Sequence, residues 1–333
     1  MAKRVTIRDI ASAVGLSSAA VSIVLSGKNG NGRVSQETVD KIIKAAKDLN
    51  YRPNMMASNL RTGQSHSIGL IVSDITNSFV SELTAAIQNR AEDKGYLTII
   101  ANSNEDVERT KKVVDSMLNN QMDGLIIIPS EGSKYIINQL VEEKFPVMLL
   151  DRYFPDVNSN FVVTDNYSAA QKLASSLLTK GCRRIAYIGY DISLSTVMER
   201  KSGFGDVVRL VRDVEYFNQF EVSYSHLKED ICQIISTIAV GDSIVDGVCC
   251  ATNTIAYYVI KELIHLGLKI SEDIHFASFD NNPFYEMSDL PVTYVKQPII
   301  KLAEYSVDGL INSIEGKDYK VEGHKLSATI VEG

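Results

Sequence analysis

Between Thr6 and Leu49 the apolar positions fall into three short runs at helical spacing. Ile7, Ile10, Ala11 and Val14 line one face behind Thr6, whose hydroxyl can cap a helix start, and Gly15-Leu16 ends that run. Ser17 can cap a second run, in which Val21, Val24 and Leu25 point inward and Gly27 follows. After a loop rich in Gly and Asn, Ser35 starts a third run in which Val39, Ile42, Ile43, Ala46 and Leu49 share a face and close a small core. Two short helices about a tight turn predict a helix-turn-helix. Ser17, Ser18, Ala19 and Ser22 point away from the core and are small enough to let the second helix approach a DNA groove with its amino-terminal end nearest the bases. A three-helix protein-interaction domain is the alternative reading of the same pattern.

From Ser67 onward the period changes. Apolar runs at 68–72, 97–101, 124–128, 147–150, 185–189, 247–251 and 275–279 predict buried parallel strands, and amphipathic stretches at 79–94, 105–120, 167–180 and 254–266 predict the helices between them. So many βα units exceed one compact sheet with short loops. The expectation is two similar doubly wound α/β lobes with a ligand cleft at the strand carboxyl ends. The fold class is therefore a small all-α helix-turn-helix domain joined to a two-lobed α/β body.

Charge sharpens the division. Residues 1–62 carry 10 Lys and Arg against 4 Asp and Glu, while the remainder carries 24 against 37. A basic head suits contact with phosphates, and the acidic body has no such need. No apolar stretch reaches the roughly 18 to 20 residues of a membrane helix, and the start lacks the apolar run of a signal peptide, so the chain is expected in the cytoplasm and off the membrane. Cys182, Cys232, Cys249 and Cys250 show no metal-ligand spacing.

Val5-Thr6-Ile7-Arg8-Asp9-Ile10-Ala11, Val21-Ser22 and Tyr51-Arg52-Pro53-Asn54 with Ala57 and Leu60-Arg61 resemble the LacI/GalR repressor family, and the likeness continues to the carboxyl end. The resemblance implies a periplasmic-binding-protein-like core on doubly wound parallel sheets. It implies a helix-turn-helix domain at 1–50, a hinge segment at 51–63 and an effector-binding and dimerisation core at 64–333. The amino-terminal lobe would take about 64–164 and 296–326, and the other lobe about 165–294 and 327–333. In that family the segment from Asn54 through Leu60 forms a short hinge helix, too short to be stable alone, that orders against its dimer mate in the minor groove. Leu60 then matches the apolar wedge that kinks the duplex. Thr6, Ser17, Ser18, Ala19, Ser22, Asn54, Ala57 and Leu60 are the expected DNA-binding residues. The family usually has Thr where this chain has Ala20 and Arg where it has Ile23, so operator sequence does not transfer.

The expected effector residues follow predicted strands. Arg200, three residues before Gly203, resembles the family's effector-binding Arg, whose guanidinium can clamp two neighbouring oxygens, and Asp280 resembles its cleft Asp. Asp151 holds the equivalent place on the other lobe, Asn77 and Phe79 would offer a polar and a stacking contact, and Asn253 ends a strand beside Thr252. Each has a plainer reading: Arg200 as a surface helix cation, the two Asp as turn or cap residues, Phe79 as a core aromatic. The resemblance implies a near-palindromic double-stranded operator, a homodimer and a small-molecule effector, with carbohydrates or their phosphates the commonest class and nucleobases an alternative. The chain ends soon after its last strand-like run, with no heptad tail for a tetramer.

No nucleophile with its base, metal set or phosphate cradle is present: the five histidines are scattered, and Gly27 and Gly32 are followed by Arg33-Val34 where a P-loop needs Lys-Ser/Thr. No catalytic residue, metal or cofactor is expected. The alternative function is a cytoplasmic sugar-binding or sugar-processing protein without operator specificity.

Overall fold

Thr6 opens the first helix as its side chain accepts from Asp9 N while the Asp9 carboxylate accepts from Thr6 N, a reciprocal cap. The computed structural model describes residues 5–25, 34–51, 63–239, 244–287, 289–317 and 321–333, and the chain divides into two units, 1–65 and 66–333. In the first unit, α1 (Ile7–Val14) ends where Gly15 takes the left-handed conformation at φ 70°. The chain bends by 111° into α2 (Ser18–Leu25), and α3 (Gln36–Asp48) starts at Ser35, which accepts from Thr38 N. Ile10, Val14, Val21, Val24 and Ile42 form its buried core.

One sequence expectation fails here. Ile43 is 52% and Leu49 37% exposed, so neither closes the core. The inward line of α3 runs through Val39, Ile42, Ala45 and Ala46; Ile43 lies about 100° around the helix from Ile42, and Leu49 is the residue at which the helix stops.

The second unit holds two lobes, and three crossings between them. The first lobe comprises β1 (Ser67–Val72), α4 (Ser78–Asp93), β2 (Leu97–Asn102), α5 (Val107–Asn119), β3 (Gly124–Ile127), α6 (Lys134–Glu142), β4 (Val147–Leu150) and β5 (Asn160–Thr164). The second comprises α7 (Asn166–Thr179), β6 (Arg184–Tyr190), α8 (Ser195–Leu210), β7 (Tyr216–Val222), α9 (Leu227–Ile238), β8 (Gly247–Cys250), α10 (Asn253–His265), β9 (His275–Phe279), α11 (Pro283–Met287) and β10 (Val292–Lys296). The chain then returns to the first lobe with α12 (Ile299–Ile314) and β11 (Gly323–Leu326), and ends on the second with β12 (Thr329–Val331).

Among the described residues each lobe has one six-stranded sheet, in the orders β11-β5-β4-β3-β1-β2 and β12-β10-β9-β8-β6-β7. All pairings are parallel except β10 with β12. The lobes repeat one plan: β1 corresponds to β6, β3 to β8, β4 to β9. Each sheet is covered by apolar clusters on both faces, which is why its central strands are continuous apolar runs.

Five strands lie outside the runs that the sequence pattern predicts, although β5 holds a short apolar run at Phe161-Val162-Val163. β7 is an edge strand interrupted by Asn218, Gln219 and Glu221, β11 and β12 are four and three residues long, and β5 and β10 lie next to the far edges of their sheets. α8 also escapes the period because it buries Thr196, Arg200 and Gly203 among its apolar residues.

Candidate functional site

Buried strands that end on polar residues make the cleft. Ser73 and Asp74 follow β1, Asp151 and Arg152 follow β4, Tyr190 closes β6, Thr252 follows β8 and Asp280 follows β9; with α4 and α8 they line a cavity of about 340 Å³ between the lobes. This is the carboxyl edge of both sheets, where open α/β folds bind ligands.

Arg200 is fixed by its own lobe. It is 4% exposed, its Nε donates to Asn166 Oδ1 at 2.8 Å, its Nη1 donates to the Ala251 carbonyl at 2.7 Å, and its guanidinium carbon lies 3.9 Å from the Phe279 ring centre. The plainer reading of Arg200 as a surface cation is thereby removed.

Asp151 and Asp280 take matching places. Both are buried and both adopt left-handed backbone, at φ 62° and 66°, with their N–H groups donating to Val162 and Val295 of the neighbouring strands. Burial pushes the Asp280 carboxyl up to about 6, against the Arg200 charge and a 2.6 Å bond from Gln297 Nε2 that hold it down. Burial raises Asp151 as well, opposed by Arg152 and Arg200, and its Oδ1 is buried without a hydrogen-bond partner among the described residues.

Arg152 was not foreseen. Its Nη2 and Nη1 donate to Glu105 Oε1 and Oε2 at 2.7 and 2.8 Å, and Nη1 also reaches the Pro129 carbonyl at 3.1 Å. The Glu105 charge holds the guanidinium protonated despite its burial. Its neighbour Asp151 is the only hint in sequence, since Glu105 lies 47 residues away. Tyr190 and Tyr224, also unforeseen, stack at 3.8 Å with their planes 9° apart and form an aromatic wall.

Asn77 and Phe79 line the cavity, but Asn253 does not. Asn253 is 2% exposed and occupied in joining the lobes: its Oδ1 accepts from Asn77 Nδ2 at 2.9 Å and its Nδ2 donates to Ser78 Oγ at 2.9 Å. Because Asn253 opens α10 at the lobe junction, its side chain meets the start of α4 instead of the cavity. Further cross-lobe bonds run from Thr196 Oγ1 to the Asp151 carbonyl and from Tyr153 Oη to Glu199.

In the first unit Ser17, Ser18 and Ala19 are exposed at the start of α2, and Ser22 is half-buried. Thr6 is exposed, yet its hydroxyl already bonds the Asp9 carboxylate at 2.8 Å. Asn54, Ala57 and Leu60 lie outside the described residues. Among the described residues no group of three or more His, Cys, Asp or Glu could hold a metal ion, and no single helix is long and apolar enough to cross a membrane.

Residues 6–54 match the family described as bacterial regulatory proteins, lacI family, residues 65–223 match the periplasmic binding proteins and sugar binding domain of the LacI family, and residues 174–333 match a periplasmic binding protein-like domain. The chain is 30% identical over 328 residues to the ribose operon repressor of Halalkalibacterium halodurans, covering 98% of this chain and 95% of that one. It is 30% identical over 325 residues to the maltose regulon regulatory protein MalI of Escherichia coli strain K12, covering 94% and 93%. In fold it matches the lac repressor dimer bound to operator and the anti-inducer ONPF, with a TM-score of 0.86, 24% identity and coverage of 99% and 98%.

Proposed function

The chain belongs to the LacI family of bacterial regulatory proteins, and on that footing we propose that it is a sequence-specific DNA-binding transcriptional regulator of the repressor type, controlled by a sugar or sugar derivative bound between its two core lobes. The observation that carries this reading is the pairing, on one chain, of a helix-turn-helix presenting Ser17, Ser18 and Ala19 with a cleft built on buried Arg200, Asp151 and Asp280.

The second helix reads base edges in the major groove, and a second copy of the chain supplies the matching half-site. Segment 51–63 joins reader to core, with Asn54, Ala57 and Leu60 as its minor-groove contacts. The effector acts by binding unequally to two arrangements of the lobes, which alters the spacing of the paired segments and hence operator affinity. The protein works by binding and not by catalysis, a reading supported by the repressor and regulatory protein it resembles over nearly their whole length. Its operator places it in the cytoplasm.

Fluorescence anisotropy with genomic duplex fragments tests this reading. The full chain is expected to select particular fragments, Leu60→Ala to weaken that binding at least tenfold with effector affinity unchanged, and Arg200→Ala to bind DNA normally but ignore the sugar that modulates the parent. A parent chain without duplex preference, or an Arg200→Ala protein that still responds, defeats the assignment.

A further inference from the structure

We propose that the cleft takes an uncharged monosaccharide and rejects the phosphate esters and sugar acids of the same skeleton; this rests on the reading of the cleft as an effector site. The argument is a balance of charge. Two cations, Arg152 and Arg200, face four carboxylates, Asp74, Glu105, Asp151 and Asp280, around the cavity. Arg152 spends both ends of its fork on Glu105. Arg200 spends Nε and Nη1 on Asn166 and Ala251, and its charge is shared by Asp151 and Asp280. Even with Asp151 protonated, Asp280 matches Arg200, Glu105 matches Arg152, and Asp74 remains over. No surplus positive charge greets an anion.

Two of the helix starts at the cleft are closed as well. At the cleft, α4 has its first N–H groups closed by Asn77 Oδ1, which accepts from Phe79 N and Val80 N, and α10 has Ile255 N closed by Thr252 Oγ1. The third, α8, has no side-chain cap among the described residues; its Thr196 Oγ1 donates to the Asp151 carbonyl, which sets a further oxygen beside that helix start. At α4 and α10 the usual phosphate seats are taken by the chain's own oxygens. A phosphate bearing about −1.5 to −2 charge would enter beside buried carboxylates that have nowhere to turn.

What remains open suits hydroxyls. Asp151 Oδ1 is buried without a partner among the described residues and asks for a donor, which a neutral sugar hydroxyl provides. The stacked Tyr190 and Tyr224 offer an apolar wall to ring carbons. A volume of about 340 Å³ sits near the lower end of the ~300–1,000 Å³ range of ligand pockets and suits one sugar ring.

Calorimetric titration of the full chain near neutral pH, with D-ribose, D-xylose, D-fructose, D-glucose and D-galactose set against their phosphate esters and acids, tests the proposal. At least one neutral sugar is expected to bind, with its charged counterparts at least 100-fold weaker. Binding confined to charged members, equal binding of a charged counterpart, or no binding by any neutral sugar overturns it. In Glu105→Gln the Arg152 charge is uncovered, and the charged counterpart should gain at least tenfold relative to the parent chain; an unchanged ratio in a folded variant overturns the electrostatic cause. Anisotropy with operator fragments on the same samples separates the two readings. A chain released from DNA by a sugar phosphate keeps its role as a regulator and loses this specificity, whereas a chain with no duplex preference loses the regulator role whatever sugar it binds.

Discussion

At the scale of single residues, the cleft is organised by two carboxylates that the fold holds under protest. Asp151 and Asp280 occupy left-handed backbone, which Asp and Asn tolerate better than other side chains that carry a Cβ. Burial lifts the Asp280 carboxyl to about 6 from its ordinary 3.8, so between those values the folded chain holds more protons than the unfolded chain. Stability from this group therefore falls as pH rises through that window, and the cost is fully present above about 6. Asp280→Asn keeps the backbone and the bond from Gln297 while removing the buried charge. The gap, in which the pull of Arg200 is already set against burial, caps the gain at about 3 kcal/mol. The unliganded variant is expected to melt higher than the parent at neutral pH, with the advantage gone by about pH 4 and the effector response lost. A lower melting point at neutral pH would show that the charge is not a net cost. Both Asp positions were legible because each terminates an apolar run. The Arg152–Glu105 pair was not, because its members come from different βα units that only packing brings together.

At the scale of elements, the position of Arg200 depends on how α8 lies on α7. A Cβ added at Gly203 would stand 2.3 Å from the Tyr167 carbonyl oxygen, so the two helices touch backbone to backbone there. Arg200, one turn earlier on α8, reaches Asn166 at the start of α7 across that same contact. Gly203→Ala should force the helices apart, cost about 2–3 kcal/mol and weaken effector binding at least tenfold. Calorimetry and thermal melting read both effects, and a variant that melts and binds like the parent would refute the link. The Arg-x-x-Gly spacing was visible in the chain; its cause, a backbone approach between α7 and α8, was not.

At the scale of the whole molecule, a bonded line joins the cleft to the crossings between the lobes. Thr164 Oγ1, at the end of β5, donates to Gln297 Oε1 at 2.5 Å, and Gln297 Nε2 donates to Asp280, so a ligand seated on Asp280 touches a group that also ties two crossings together. Dimerisation is expected on the first lobe. There β2 ends its sheet, and its Leu97, Ile99 and Ile100 are 64%, 39% and 40% exposed, an apolar edge of the kind that soluble chains cover or blunt with charge. The double variant Leu97→Lys with Ile100→Lys should sediment as a monomer, bind effector as before and lose operator affinity at least 100-fold. A variant that still sediments as a dimer moves the interface elsewhere.

Periodicity within a few residues was enough to place the three amino-terminal helices, the central strands and the carboxylates at their ends, because a helix or strand declares its buried face every three to four residues or every second one. The edge strands β7, β11 and β12, the exposure of β2, Arg152 with Glu105 and the withdrawal of Asn253 from the cavity arose from neighbours distant along the chain. Those positions answer to what packs beside them, and a short window of residues carries no record of that partner.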